Sequence, residues 1–538
     1  MSEPWHAYFS RGRGRRLTGS TSRAEASNRV SPRDVLAGIG VALVLIPQSL
    51  AYAELAGLPA HRGLYAAALA PMAAALFASS PWLQTGPVAL TSLLTLGALL
   101  PLASSGSTEF VALAGLLALV VAGTRLVIGI FRLGWMAFFL SQPVLMGFTA
   151  AAALLIIGSQ LPAALGVAPG VDGVGERVIW TLSRPATWEP EAIVLSTVTV
   201  LLMFGSRRLH PAVPGVLIAS LAGWTFSMIT DYPGAVVGSV PIELNAFTLS
   251  LPWSKAPSLI LPGVVIAMVG FAEAASVSQT YATRERRPWD PNREFVSQGM
   301  ANLAAGLAGG FPVGGSFSRT SLAHLAGART RWAGFIAGAT VLLFLPFASV
   351  LAPLPRAVLA AVVISAVSKL LRMKPLIGLW KLSPPQAVIG WTTFILTLIL
   401  APHIEEAVIL SVVLAMSLHL WRELTPGFVS RTEGNTLHLE LRGVLWFGSA
   451  PILERALLAH LDSSESLREV VVDLSGLGRI DLTGAMTLRR LKEDVERGGV
   501  DFHLLGAPGH ALRILRQVFR WDTEQEQTAQ GASSVGES

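Results

Sequence analysis

Thr85-Gly86-Pro87-Val88-Ala89-Leu90-Thr91-Ser92-Leu93 and Gly314-Gly315-Ser316-Phe317-Ser318-Arg319-Thr320-Ser321-Leu322 can be laid over one another. Gly86 falls on Gly315, Thr91 on Thr320, Ser92 on Ser321 and Leu93 on Leu322. Each stretch is a break of small residues followed by a helical run, and each sits in apolar surroundings. A half-helix that starts inside an apolar protein presents unpaired N–H groups and the positive end of its dipole. Two such breaks in corresponding halves of a membrane protein point to a ligand site near the bilayer midplane.

The composition agrees with that setting. The chain of 538 residues is 52% hydrophobic and 14% charged, with mean hydropathy +0.56. A soluble domain carries about 25% charge, so this is a polytopic membrane protein that needs a lipid bilayer. The chain has no cysteine, which excludes a disulfide framework, thiolate chemistry and a cysteine–zinc site. Of the 40 basic residues 35 are arginine, a bias that fits a GC-rich genome better than nucleic-acid binding. Arg11, Arg13, Arg15, Arg16, Arg23, Arg29 and Arg33 give residues 1–34 the composition of a transit peptide. The positive-inside rule reads the same stretch as a cytoplasmic N-terminal segment.

Fourteen apolar segments are candidate spans: 35–57, 63–79, 86–101, 108–128, 137–160, 189–205, 212–230, 258–283, 293–310, 317–328, 330–351, 355–371, 383–401 and 404–421. Segments 86–101 and 317–328 are too short to cross about 30 Å of hydrocarbon as continuous helices. With the N-terminus inside, alternate loops carry Arg125 and Arg132, Arg207 and Arg208, Arg284, Arg286, Arg287 and Arg293, Arg329 and Arg331, and Arg372, Lys374 and Lys381. The opposite loops carry Asp172, Asp231, Glu243, Glu405 and Glu406. One missed or invented span would scramble this pattern. Division after the seventh span gives repeats at 35–230 and 231–421, and an odd number of spans per half inverts the second against the first. The two breaks are then the third span of each half.

After Trp421 the character changes. Residues 431–522 read as a soluble α/β domain: strands at Thr436–Phe447, Val470–Leu474 and Asp501–Leu505, helices at Pro451–Leu461, Thr483–Val495 and Ala507–Phe519. Residues 523–538 are polar and are expected to be disordered.

Four segments carry a resemblance to a known family. They are Ile46-Pro47-Gln48-Ser49-Leu50-Ala51-Tyr52-Ala53-Glu54 through Pro59, the break at Thr85–Leu93, residues 292–322 with Gln298-Gly299, Ala301-Asn302 and Gly309-Gly310, and Val472-Asp473-Leu474-Ser475-Gly476 with Ile480-Asp481-Leu482-Thr483-Gly484. In that order and spacing the chain resembles the SulP anion transporters, the sulfate-permease type that ends in a STAS domain. The resemblance covers roughly residues 30–520. It implies fourteen spans in seven-plus-seven inverted repeats, a substrate-carrying bundle moving against a scaffold, and a cytoplasmic STAS domain that helps form a homodimer. It also implies that the substrate lies between the two breaks and that the positions of Gln48 and Tyr52 line its pocket.

The residues suit that implication. Pro87 fits a first helical position, Val88 and Ala89 follow it, and Ser316 is a plausible N-cap ahead of Phe317 and Ser318. Gln48 and Tyr52, four apart, share a helix face and offer an amide donor and an aromatic wall. Pro47 frees a backbone carbonyl beside them. Arg319 is a lone cation inside a span, a functional candidate by default; it either adds positive field to the site or reaches away toward an interface or a carboxylate. Glu273 lies midway in the apolar run Val264–Tyr281. A carboxylate there that can be neutralised is what proton coupling needs; with Ser276 or Ser278 it would also suit sodium. The other reading is an ion pair with Arg319, and the family resemblance favours a coupling or charge-compensating acid.

Thr483 matches a position phosphorylated in some stand-alone STAS proteins, but Asp481-Leu482-Thr483-Gly484 lacks their first serine, so a helix N-cap or packing role is favoured. The histidines, including His324 and His403, lack metal-ligand spacing, and no phosphate loop or Ser–His–Asp order appears. No enzyme site, metal site or cofactor is expected. The expectation is a bacterial inner-membrane secondary transporter with both termini cytoplasmic. It would move sulfate, bicarbonate or a small dicarboxylate by elevator-like alternating access, coupled to protons or sodium. A membrane-tethered anion sensor and an anion channel are the alternatives.

Overall fold

A computed structural model describes residues 30–138, 140–171, 173–209, 213–239, 251–424, 427–462 and 467–519. The N-terminal stretch 1–29, Asp172, Glu243 and the expected disordered tail lie outside the described residues. The chain divides into two compact units, residues 1–412 and 413–538.

In the first unit each of the fourteen candidate spans carries a helix: α1 Pro32–Leu55, α2 His61–Phe77, α3 Ala89–Leu99, α4 Thr108–Ile130, α5 Gln142–Ala164, α7 Pro190–Leu209, α8 Gly215–Thr230, α9 Ala256–Arg284, α10 Pro291–Leu307, α11 Phe317–Leu325, α12 Trp332–Phe344, α13 Arg356–Val367, α15 Pro384–Ile399 and α16 Ile404–Leu424, the last running across the division. Two further helices were not expected, α6 at Val174–Leu182 and α14 at Met373–Leu382. They occupy matching places, between the fifth and sixth candidate spans of each expected half. Among the described residues six regions are long and apolar enough to cross a bilayer by themselves, including α1, α4, α5 and α9.

Local chemistry starts these helices where they start. Ser31 caps α1 in a capping box with Asp34, and Pro32 takes the first helical position. Asp34 then reaches across the chain, accepting from the N–H groups of Arg329 and Thr330 at 2.7 and 3.0 Å and from the Thr330 hydroxyl. The start of α1 is thereby tied to the segment that follows α11.

The packing repeats itself when the halves are exchanged. With α1 matched to α9, α2 to α10, α4 to α12, α5 to α13 and α7 to α15, the contact of α4 with α10 has its counterpart in α12 with α2. Likewise α1 with α12 matches α9 with α4, and α5 with α15 matches α13 with α7. Small residues set these crossings. A Cβ on Gly147 of α5 would stand 2.1 Å from the carbonyl oxygen of Gly390 in α15.

The second unit is a sheet in the order β3 (Gly427–Glu433), β4 (Thr436–Leu445), β5 (Glu469–Asp473), β7 (Asp501–Leu505), with β6 (Leu477–Ile480) pairing β4. β3 and β4 are antiparallel and the other pairings parallel. Helices α17 (Ala450–Asp462), α18 (Leu482–Arg497) and α19 (Gly509–Phe519) complete it. Leu437, Leu439 and Leu441 alternate inward from β4 onto Val470, Val472, Leu488 and Leu515. Strands β3 and β6 were not expected. Asp481, not Thr483, caps α18, accepting from the Gly484 N–H at 2.7 Å; Thr483 lies exposed in the first turn.

Gly147→Ala should drive α5 and α15 apart, at a cost of about 1–3 kcal/mol for overpacking. Thermal unfolding in detergent should show a fall of several degrees. Gly175→Ala, where a Cβ meets open space, should show none.

Candidate functional site

The two breaks meet. Gln84–Gly86 forms β1 and Gly314–Ser316 forms β2, paired antiparallel with Gln84 opposite Ser316, Thr85 opposite Gly315 and Gly86 opposite Gly314. All six residues are buried. Because the strands are antiparallel, α3 leaves one end of the ribbon and α11 the other. Both helix N-termini, the positive ends of their dipoles, therefore face the ribbon.

The two starts differ chemically. α3 begins at Ala89 with Val88 as an extended N-cap residue and no side-chain cap, so its first N–H groups are left for another acceptor. Pro87 stands two residues ahead of the helix rather than at its first position: Val88 is the last extended residue. In α11 the Ser316 hydroxyl accepts from the Arg319 N–H at 3.4 Å, the cap expected from the sequence.

Arg319 is 1% exposed. Its Nη1 donates to Gln48 Oε1 at 3.4 Å, while Nε and Nη2 have no hydrogen-bond partner. Nη2 lies 3.4 Å from where a Cβ on Gly86 would stand, and Gly86 has φ +149°. A glycine is required there by the backbone, and the guanidinium lies at ordinary van der Waals distance from where a Cβ would stand. The cation of the second break thus sits against the first.

Gln48 and Tyr52 are both buried on α1, as their spacing suggested. Tyr52, Arg319 and Glu273 are close enough for their charges to act on one another, although no hydrogen bond joins Glu273 to the guanidinium. Glu273 is half-buried on α9, and Gly315 lies tight against its neighbour Ala274. Pro87, Val88 and Ala89 are buried; Phe317 and Ser318 are exposed. Phe317 turns toward Tyr281, ring centroids 6.5 Å apart, and the Ser318 hydroxyl is 3.3 Å from that of Ser316.

A polar brace missed in the sequence holds the ribbon. Arg125, assigned above to a loop, lies inside α4 and is fully buried. It donates to the carbonyls of Ile266 and Ala267 in α9 and, at 3.0 Å, of Val313 just before β2. Asn302 of α10 grips the same residue from both sides: its Oδ1 accepts from the Val313 N–H at 2.9 Å and its Nδ2 donates to the Val313 carbonyl at 3.1 Å. Gln298 donates to the Thr85 hydroxyl at 2.7 Å, and the Thr320 hydroxyl accepts from the Gln84 N–H at 3.0 Å. The clue to Arg125 was the apolar run that continues beyond it through Ile130.

The chain is similar to known proteins in sequence and in fold. The sulfate permease family matches residues 32–393 and the Mlab-type STAS domain residues 428–523. A probable sulfate transporter of Mycobacterium tuberculosis (strain CDC 1551 / Oshkosh) is 38% identical over 352 residues, 63% of this chain and 61% of that one. The match thus spans less than two thirds of that relative's length. A sodium-independent sulfate anion transporter of Bos taurus is 29% identical over 521 residues, 90% of this chain and 85% of the other. In three dimensions the murine Solute Carrier 26 family member A9 anion transporter, in an inward-facing state, superposes with TM-score 0.85 at 18% identity over 97% of this chain and 96% of its own. The transmembrane domain of a cyanobacterium bicarbonate transporter gives TM-score 0.63 at 23% identity over 70% and 97%. These structural likenesses speak for the fold.

Asn302→Leu keeps the bulk, leaves the Val313 N–H without an acceptor and leaves the Val313 carbonyl to Arg125 alone. Each buried backbone group left unpaired costs about 1–3 kcal/mol. The variant should unfold at a clearly lower temperature than the parent in detergent, and an unchanged melting curve would show that the brace carries little.

Proposed function

The chain belongs to the sulfate permease family, and from that premise and the paired half-helices we propose that it is a secondary transporter of small anions. The substrate class is sulfate, bicarbonate or a small dicarboxylate. The observation that carries this is the Arg319 guanidinium, fully buried and with two nitrogens unpartnered, beside an uncapped helix N-terminus. A buried cation without its full set of acceptors is costly. An oxyanion placed there would accept from Arg319 and from the first N–H groups of α3 and α11, and its negative charge would meet both helix dipoles.

In this reading Gln48 and Tyr52 wall the pocket from α1, with Pro87, Val88, Ala89, Phe317, Ser318 and Arg319 around the anion. Glu273 titrates or takes a cation as the anion enters, coupling transport to protons or sodium. The fourteen segments span as two inverted repeats of seven, a division supported by packing that survives exchange of the halves. α1–α4 with α9–α12 form the bundle that carries the anion; α5, α7, α8, α13 and α15 form the scaffold against which it moves. The protein works in a bacterial inner membrane with both termini cytoplasmic, as a homodimer to which the STAS domain contributes.

Proteoliposome uptake of labelled sulfate, bicarbonate and dicarboxylates, under separately imposed proton and sodium gradients, tests the proposal. Binding without uptake would favour a sensor, and flux that never saturates would favour a channel. Glu273→Gln keeps size and removes the titrating group; it should bind anion while gradient-driven accumulation falls at least tenfold. Full accumulation by this variant would overturn the coupling role.

Substitutions at the helix starts test the site. Ser318→Ala should weaken binding by about 0.5–1.5 kcal/mol, the worth of one hydrogen bond. Ser318→Asp or Val88→Glu places a negative charge where the substrate's charge must go and should abolish binding in folded protein. Arg319→Ala should fall between them. Normal affinity in well-folded Ser318→Asp and Val88→Glu proteins would put the substrate elsewhere.

A further inference from the structure

α1 is the helix on which the two bundles meet. It packs on α2 and α12 within its own bundle, and on α8 and α13 of the other. The seam is apolar: Val44 of α1 and Leu322 of α11 lie against Leu202 and Met203 of α7, Val216 and Ala219 of α8, and Val362 of α13. Apolar contact has no direction, so nothing in this set selects one relative position of the bundles over a neighbouring one.

At the end of the seam, in the last turn of α1, stands Glu54. Its Oε1 lies 3.1 Å from Nε of Arg356, the first residue of α13. The ion pairs Lys255–Glu109 and His324–Glu285 remain within the first bundle, and His403–Glu405 within one turn. Glu54–Arg356 joins the two bundles. Glu54 Oε1 is buried and accepts no hydrogen bond, so Arg356 is its charge partner. A cation at the first residue of a helix is disfavoured by the helix dipole, so Arg356 needs Glu54 in turn. The backbone fixes Arg356 in place. Its N–H donates to the Ala235 carbonyl at 2.9 Å, beside the bridge between Val236 and Pro355.

We propose that Glu54 and Arg356 form a latch between the two bundles, closed on the membrane face where α1 ends. Opening it admits the anion from that face. The inference rests on the reading of the protein as a transporter whose bundles move. An ion pair demands approach within about 4 Å, so a shift of one helical turn breaks it while the apolar seam slides. Half of the Arg356 side chain is exposed, which keeps the pair weak enough to open in every cycle.

The natural absence of cysteine makes the test direct. Ser318→Cys supplies a single thiol in the proposed anion path. In membrane vesicles an impermeant thiol reagent is added from one face, then from the other, and the two labelling rates are compared. In this background E54Q and R356Q should each raise the rate from the Glu54 face about 3–10-fold and lower it from the opposite face. The charge-swapped double variant E54R/R356E should return both rates toward those of the background. Unchanged rates in E54Q and R356Q, or a double variant no closer to the background than the singles, would overturn the latch. Anion uptake by the unsubstituted chain is measured separately. Uptake with unaltered labelling refutes the latch alone; absence of uptake refutes the transport reading itself.

Discussion

An unwound stretch of backbone inside a membrane protein carries N–H and C=O groups that lipid cannot satisfy. Here the chain pairs its two unwound stretches with each other, Gln84–Gly86 against Gly314–Ser316. The rest of the first unit follows from that pairing. It fixes where α3 and α11 begin, and turns both positive helix ends toward one place. It also requires glycine at Gly86, where φ is +149°, and at Gly315, where the Ala274 side chain presses on the ribbon. Arg125, Asn302, Gln298 and Thr320 satisfy polar groups of the ribbon and its approaches that neither strand can satisfy alone.

Charge follows the same geometry. Arg125 and Arg319 are both buried cations, but they are satisfied differently. Arg125 has three backbone carbonyls and is part of the brace. Arg319 has one long hydrogen bond to Gln48 and two nitrogens with none. The first is a structural cation; the second is the one to which the proposed function assigns the anion. Glu273, near enough to act on Arg319 without bonding to it, makes the net charge of the region depend on whether its carboxyl is ionised.

Much of this was legible in the residues. The helical segments followed from long apolar runs, and the two breaks from Gly-Pro and Gly-Gly-Ser punctuation followed by helix formers. Gln48, Tyr52, Arg319 and Glu273 stood out as polar groups in apolar surroundings. What escaped had weak one-dimensional signals. β1 and β2 are three residues each, too short for any alternation to register, and their pairing joins positions some 230 residues apart. Arg125 looked like a loop cation because its carbonyl partners come from distant segments. Helices α6 and α14 mix charge with apolar residues and resemble linkers until the matching places in the two halves are seen. Pro87 looked like a first helical residue because the extended conformation of Val88 is set by the ribbon, not by local preference.

The central claim is that an anion sits beside Arg319 at the starts of the two half-helices. The most direct measurement is a structure of the protein with selenate, a sulfate analogue whose selenium scatters anomalously. The account predicts one anomalous peak within hydrogen-bond reach of Arg319 Nε or Nη2 and of the first N–H groups of α3. A peak elsewhere in the membrane unit, with this position empty in protein that still takes up sulfate, would contradict it.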